Sequence, residues 1–233
     1  MALDPWTTSA ALDRGGATVA GVFMARVYRW MAFGLALTGL FAYGTATSPG
    51  MVRVIFGNPI LFYGLLFAQL GMVWAFSSVV RRASFGAAAA MFLAYCAVTG
   101  LTFSSIFLVY THESIAQSFF ITGGTFAAMS VYGTVTKRDL SSFGHFLFMG
   151  LIGVVLASIV NIFVHSTMLG FVISCMGVIV FTGLTAYDTQ KIRSFAEVGD
   201  DRLALSGALA LYLDFINLFL ILLRFFGGGG RRR

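Results

Sequence analysis

The chain has 233 residues, of which 58% are hydrophobic and only 10% charged, and its mean hydropathy is +0.89. A soluble domain carries about 25% charged residues, and one this apolar could not clothe its surface with polar side chains, so a soluble globular fold is excluded and a lipid bilayer is the implied partner. The net charge of +6 does not point to nucleic acid, because no basic run is interleaved with exposed aromatics and no zinc-finger or helix-turn-helix pattern occurs.

Residues 1–25 read as a polar N-terminal tail. Acids and an arginine precede the first long apolar run, which argues against a cleaved signal peptide. The first apolar run is 27–46, entered through Arg26 and Arg29. The next is 60–80, stopped by Arg81 and Arg82, and the third is 85–110. A short turn with His112 and Glu113 leads into 115–135, which ends at Lys137, Arg138 and Asp139. The last three runs are 143–164, 168–188 with a continuation toward 193, and 203–226. A spanning helix needs about 20 apolar residues, so the expected fold is an all-α integral membrane protein with seven transmembrane helices. Residues 26–227 form the transmembrane domain and 228–233 a Gly/Arg tail. Cys96 and Cys175 lie inside apolar runs and read as small packing residues.

Lys and Arg sort by side. Arg14, Arg26, Arg29, Arg81, Arg82, Lys137, Arg138, Lys191, Arg193 and Arg202 fall on one, while Arg53, Arg224 and the arginines of 231–233 fall on the other. The crowded side is expected to be cytoplasmic, which puts the N-terminus inside. The short loops and high Ala and Gly content suggest a bacterial inner membrane.

Of nine acids, seven sit in tails or loops. The other two are Asp188 and Asp214. A charged Asp at the centre of a spanning helix costs about 2.5–3.5 kcal/mol, so each is expected to face protein or water. The bland reading pairs them with Lys191, Arg81 or Arg82. At 100° per residue, Gly207, Ala210, Asp214 and Asn217 share one stripe, and Ser174, Gly177, Phe181 and Asp188 share another. Two carboxylates brought together do not easily both ionise, so one proton is shared. Ionised, they offer hard oxygen ligands to calcium. Their depths differ, however. Asp214 lies roughly 16 Å along its helix and Asp188 near the inner boundary, so pairing demands stagger or tilt.

The segments GLTAYDTQKI (183–192) and ALALYLDFINLFLILLRFFG (208–227) resemble the signature of the transmembrane Bax inhibitor motif family, the Bax inhibitor-1-like proteins. The resemblance implies a seven-helix fold with the last helix central, and a pH-sensitive calcium leak. It carries the family's aspartate pair onto Asp188 and Asp214, and a basic latch onto Arg81 or Arg82, between which spacing does not choose. Tyr187, Tyr212 and Asn217 are supporting candidates. No resident cofactor is expected; calcium is the permeant species. The lysine-rich tail of some eukaryotic members is absent.

Two other classes compete. An intramembrane aspartyl protease also uses two aspartates, but the second Asp here sits in YLDFIN rather than GxGD, and the three prolines (Pro5, Pro49, Pro59) leave no C-terminal PAL motif; the chain is therefore not expected to be an enzyme. A non-conducting membrane scaffold is the third class. Asn161 and Gln69 could line a path but are more often helix–helix hydrogen bonds, and His112, His145 and His165 show no metal-ligand spacing.

Overall fold

The computed structural model describes residues 5–227, with side chains from 19 onward. Most of the expected 1–25 tail and all of the 228–233 tail lie outside the described side chains. Eight helices follow in order: α1 (Pro5–Ala46), α2 (Pro49–Phe56), α3 (Pro59–Arg82), α4 (Phe85–Val109), α5 (His112–Val135), α6 (Ser141–Val164), α7 (Thr167–Ser194) and α8 (Asp201–Phe226). The seven expected apolar helices correspond to α1 and α3 through α8. The first begins earlier than expected, at Pro5, and the short α2 fills a stretch read as a loop.

Local chemistry sets the boundaries. A helix leaves its first N–H groups without partners, and a Ser, Thr, Asn or Asp oxygen can accept from them. Ser48, Asn58, Ser84, Thr111, Ser166 and Asp200 each do so, at the starts of α2, α3, α4, α5, α7 and α8. Pro49 and Pro59 occupy first-turn positions, where a missing N–H costs nothing. Ser48–Pro49 is thus a helix-start signal, which explains α2.

Five of the helices, α3, α4, α6, α8 and α7 with the 3-10 turn that extends it to Glu197, are long and apolar enough to cross a membrane. α1 and α5 are diluted by Ser, Thr and Gly and fall short. The outward faces suit lipid: Ile60 and Trp74 on α3 and Phe163 on α6 are among the most exposed side chains. α8 is central, touching α1, α3, α4, α5 and α7. Its larger core is built with α1 and α4 around Phe92 and Tyr212. A smaller one joins Leu147 of α6, Val180, Phe181 and Leu184 of α7, and Leu218 and Leu222 of α8.

Small residues let these helices approach closely. At Gly133 a Cβ would lie 2.3 Å from the Ala186 carbonyl oxygen, so α5 and α7 meet backbone to backbone. At Gly100 it would lie 2.6 Å from the Thr38 carbonyl oxygen, which fixes α4 on α1.

One end of the bundle is laced by polar contacts. Arg26 pairs with Asp201. Arg202 Nη1 donates to Ala83 O at 3.3 Å, and Arg193 Nη1 to Thr134 O. Gln190 Nε2 donates to Arg138 O at 2.8 Å while its Oε1 accepts from Leu140 N at 2.9 Å. The loops around 81–84, 134–140 and 190–202 therefore share one end, the grouping expected from the charge count.

Candidate intramembrane dicarboxylate site

The register between α7 and α8 decides whether Asp188 and Asp214 can meet. Ile192 closes over Gly207, and Ile221 over Gly177. The two helices are thus antiparallel, and Asp188 stands about one turn nearer the start of α8 than Asp214 does. Side chains on a helix lean toward its own N-terminus. Asp188 accordingly leans toward the middle of the bundle, and Asp214 toward the laced end. The two leanings close the one-turn gap and bring the carboxyls within hydrogen-bonding reach of each other. The depth mismatch apparent in the sequence is removed because α7 continues past Asp188 to Ser194.

Asp214 is only 5% exposed, and its Oδ2 has no hydrogen-bond partner. Asp188 is half-buried. On the neighbouring helices the buried hydroxyls of Ser118 and Ser130 (α5) and of Thr182 and Thr189 (α7) also lack partners. Thr122 and Thr185, equally buried, donate to Ser118 O and Phe181 O in their own helices. Buried side-chain oxygens without protein partners thus occur on each of α5, α7 and α8. Among the described residues no three of His, Cys, Asp and Glu converge. A resident calcium takes six to eight oxygens, more than the two carboxylates supply.

The supporting candidates divide. Tyr187 is half-buried beside Asp188; its ring lies under Lys191, with Nζ 5.7 Å from the centroid, and it fills the space left by Gly144 of α6. Asn217 is half-buried about one turn beyond Asp214. Tyr212, two residues from Asp214, projects to the opposite face of α8. There it is fully buried, its hydroxyl is 2.7 Å from Thr38 Oγ1, and its ring meets Phe92 and Tyr95 edge-on. Arg81 and Arg82 are exposed at the end of α3 and pair with neither aspartate. The Arg202–Ala83 contact places the end of α3 beside the start of α8, so these arginines lie on the order of 10 Å below the carboxyls. Gln69 is a helix–helix bond, donating to Thr102 Oγ1 and accepting from Thr99 Oγ1.

Sequence reading missed the polar lacing. Asp201 in the first turn of α8 was a visible signal, since acids favour helix N-termini. Its partner Arg26 is 175 positions away and nothing local announces it. Beside this pair, the Arg202 guanidinium and its hydrogen bonds hold the Asp200 carboxyl below the ordinary carboxylate range.

Residues 21–232 match the family described as Inhibitor of apoptosis-promoting Bax1. The chain is 50% identical over 212 residues to the inner membrane protein YbhL of Escherichia coli K12, covering 88% of this chain and 91% of that one. It is 46% identical over 211 residues to an uncharacterized protein of Borreliella burgdorferi, covering 88% and 91%. With an uncharacterized membrane protein of Streptococcus pyogenes serotype M1 it shares 38% over 212 residues, covering 88% and 92%. With a match over nearly its whole length and relatives this close, the chain is a membrane protein of the Bax inhibitor-1-like family.

Proposed function

We propose that this protein is a calcium-permeable leak of a bacterial inner membrane, gated by protonation of Asp188 and Asp214. The observation that carries the reading is the meeting of the two carboxyls between α7 and α8, with one oxygen of Asp214 buried and unpartnered. Two ionised carboxylates in a low-dielectric interior repel strongly and attract a divalent cation. A proton on either one removes half of that charge and supplies a hydrogen bond across the α7–α8 contact. The same site can therefore hold a cation or lock two helices, and proton concentration chooses between them.

The reading includes seven crossings, with α1 and α5 counted beside the five more apolar helices. The laced end faces the cytoplasm, on the positive-inside rule, and the inner-membrane assignment follows the description of the Escherichia coli relative. A latch from Arg81 or Arg82 belongs to a second conformation, in which α3 rises along α8 by about two turns. α3 is the suitable element for this, because it packs chiefly on α4 and α8 and exposes most of its apolar face.

The test is calcium flux into liposomes loaded with purified protein. Wild type should respond to pH between about 5 and 8, and Asp188→Asn, Asp214→Asn and the double variant should lose most of that response. His112, His145 and His165 are replaced in parallel. A wild-type pH profile in the Asn variants, with loss in a His variant, would move the sensor elsewhere; absence of flux in wild type would leave the scaffold reading.

A further inference from the structure

At the end of the bundle opposite the lacing, α6, α7 and the last turn of α8 line an open cavity of about 620 Å³, at which the Arg224 side chain is exposed. This volume is in the range of small-molecule sites. Its polar lining includes Ser158, Asn161, Ser166, Ser174 and Arg224, and one wall is formed by Phe171 stacked on Phe225 with centroids 5.4 Å apart. Neither this cavity nor Arg224 takes part in the dicarboxylate site. Asp214 and Arg224 are ten residues apart on α8, roughly 15 Å, and the buried Leu218, Leu222 and Phe181 lie between.

Two donors converge inside the cavity. A Cβ built on Gly170 would lie 2.8 Å from Arg224 Nη2 and 3.3 Å from Asn161 Nδ2. The Asn161 amide is oriented by its own oxygen, which accepts from Ser166 N at 3.1 Å, so the NH2 group faces the guanidinium. Two donors turned toward each other repel unless an acceptor sits between them. Among the described residues Arg224 has no carboxylate partner, and Glu113 pairs with neither group. The lack of a side chain at Gly170 lets the guanidinium lie directly against α7 here. The positive end of the α7 dipole, which begins at Thr167, adds to the same field.

We propose that this cavity binds a phosphate group, held by Arg224 and Asn161 over Gly170. An arginine fork matches phosphate oxygens in geometry and charge. The chemistry is common to two sources, the phosphodiester of a phospholipid headgroup in the surrounding bilayer and free inorganic phosphate. The aromatic wall of Phe171 and Phe225, both exposed on the lipid side, provides a surface along which an acyl chain can lie.

The full chain, purified in detergent, is examined by native mass spectrometry with added phosphatidylglycerol, with diacylglycerol as the phosphate-free control, and by equilibrium dialysis against labelled inorganic phosphate. Wild type should retain phosphatidylglycerol or phosphate in preference to diacylglycerol. Arg224→Gln should reduce that retention by about tenfold, the scale of one lost charge-assisted hydrogen bond. Gly170→Ala displaces only the flexible guanidinium end and serves as the second variant, each variant being checked for a wild-type elution profile. Lipid adducts that persist in excess inorganic phosphate identify the headgroup as the source; dialysis binding that displaces the lipid identifies free phosphate. Retention no greater than that of diacylglycerol, or equal to wild type in both folded variants, overturns the proposal.

Discussion

Tyr212 sits two residues from the aspartate that the proposed gate depends on, yet its contacts make it a strut of the α1–α4–α8 core, and a double-mutant cycle with Thr38 separates the two roles. The Thr38 hydroxyl is 3.0 Å from both Gly34 O and Cys96 O and 2.7 Å from the Tyr212 hydroxyl. It has one proton, which goes to a carbonyl, so it accepts from Tyr212. Tyr212→Phe removes that bond but leaves Thr38 a satisfied donor, and should cost about 0.5–1.5 kcal/mol. Thr38→Val strands a buried phenol without its acceptor and cuts the link from α1 to Cys96 on α4, costing about 1–3 kcal/mol. Adding Tyr212→Phe to Thr38→Val removes the stranded group, so the double variant should be more stable than Thr38→Val alone, with a coupling of about 1 kcal/mol. Unfolding in mixed micelles can be followed through Trp30, whose ring meets Phe92 at 6.2 Å. Calcium flux and its pH profile should stay unchanged in Tyr212→Phe. Purely additive costs, or a flux profile altered by Tyr212→Phe, would refute the assignment of this tyrosine to the core.

Gly133→Ala should destabilise the bundle by about 1–3 kcal/mol through overpacking, because the new methyl meets the Ala186 backbone at 2.3 Å with no rotamer to escape into; unchanged stability would mean that α5 and α7 are not in backbone contact. Arg26→Ala should cost no more than about 1 kcal/mol, since the side chains of Arg26 and Asp201 are 36% and 55% exposed; a larger loss in denaturation would give the lacing more weight than its exposure allows. Single cysteines in the 81–84, 137–139 and 196–200 loops, in a background lacking Cys96 and Cys175, should be labelled from the cytoplasmic side of inverted vesicles, and labelling from outside intact cells would reverse the orientation.

The long helices were legible because an apolar run of spanning length is a strong signal. The stripe of Gly207 and Asp214 was legible for the same reason: small residues beside a lone acid mark a face turned away from lipid. What sequence could not show was anything that depends on register between helices. Whether Asp188 and Asp214 meet is decided by Ile192 falling over Gly207, a contact with no local signature. Tyr212 was drawn into the site by its nearness in sequence, although two residues along a helix turn a side chain through about 200°. Arg224 was read only as one charge in a count, because its significance lies in Asn161, a residue 63 positions earlier that faces it across Gly170.

The two ends of the α7–α8 contact differ in a way that constrains any opening. At the laced end α8 is held by Arg26 and by the Arg202 bond to Ala83, and Asp188 is the more exposed of the two aspartates. Beyond Asp214, Leu218 is fully buried among Phe181, Leu184 and Leu222, and Ile221 fills the groove at Gly177. Among the described residues no side-chain hydrogen bond joins α7 to α8 across this layer, so parting it breaks packing rather than such bonds. Parting the laced end would break several polar contacts at once. On the proposed leak reading, a cation that reaches the aspartates from the laced end meets its barrier at the Phe181–Leu218 layer. A proton shared by Asp188 and Asp214 ties α7 to α8 immediately below that layer and reinforces it. Ionising both carboxyls removes the tie and sets like charges against each other across the same contact. In the proposed leak, the link between protonation and passage needs no relay through the rest of the bundle, because the proposed titrating pair and the barrier are neighbours on the same two helices.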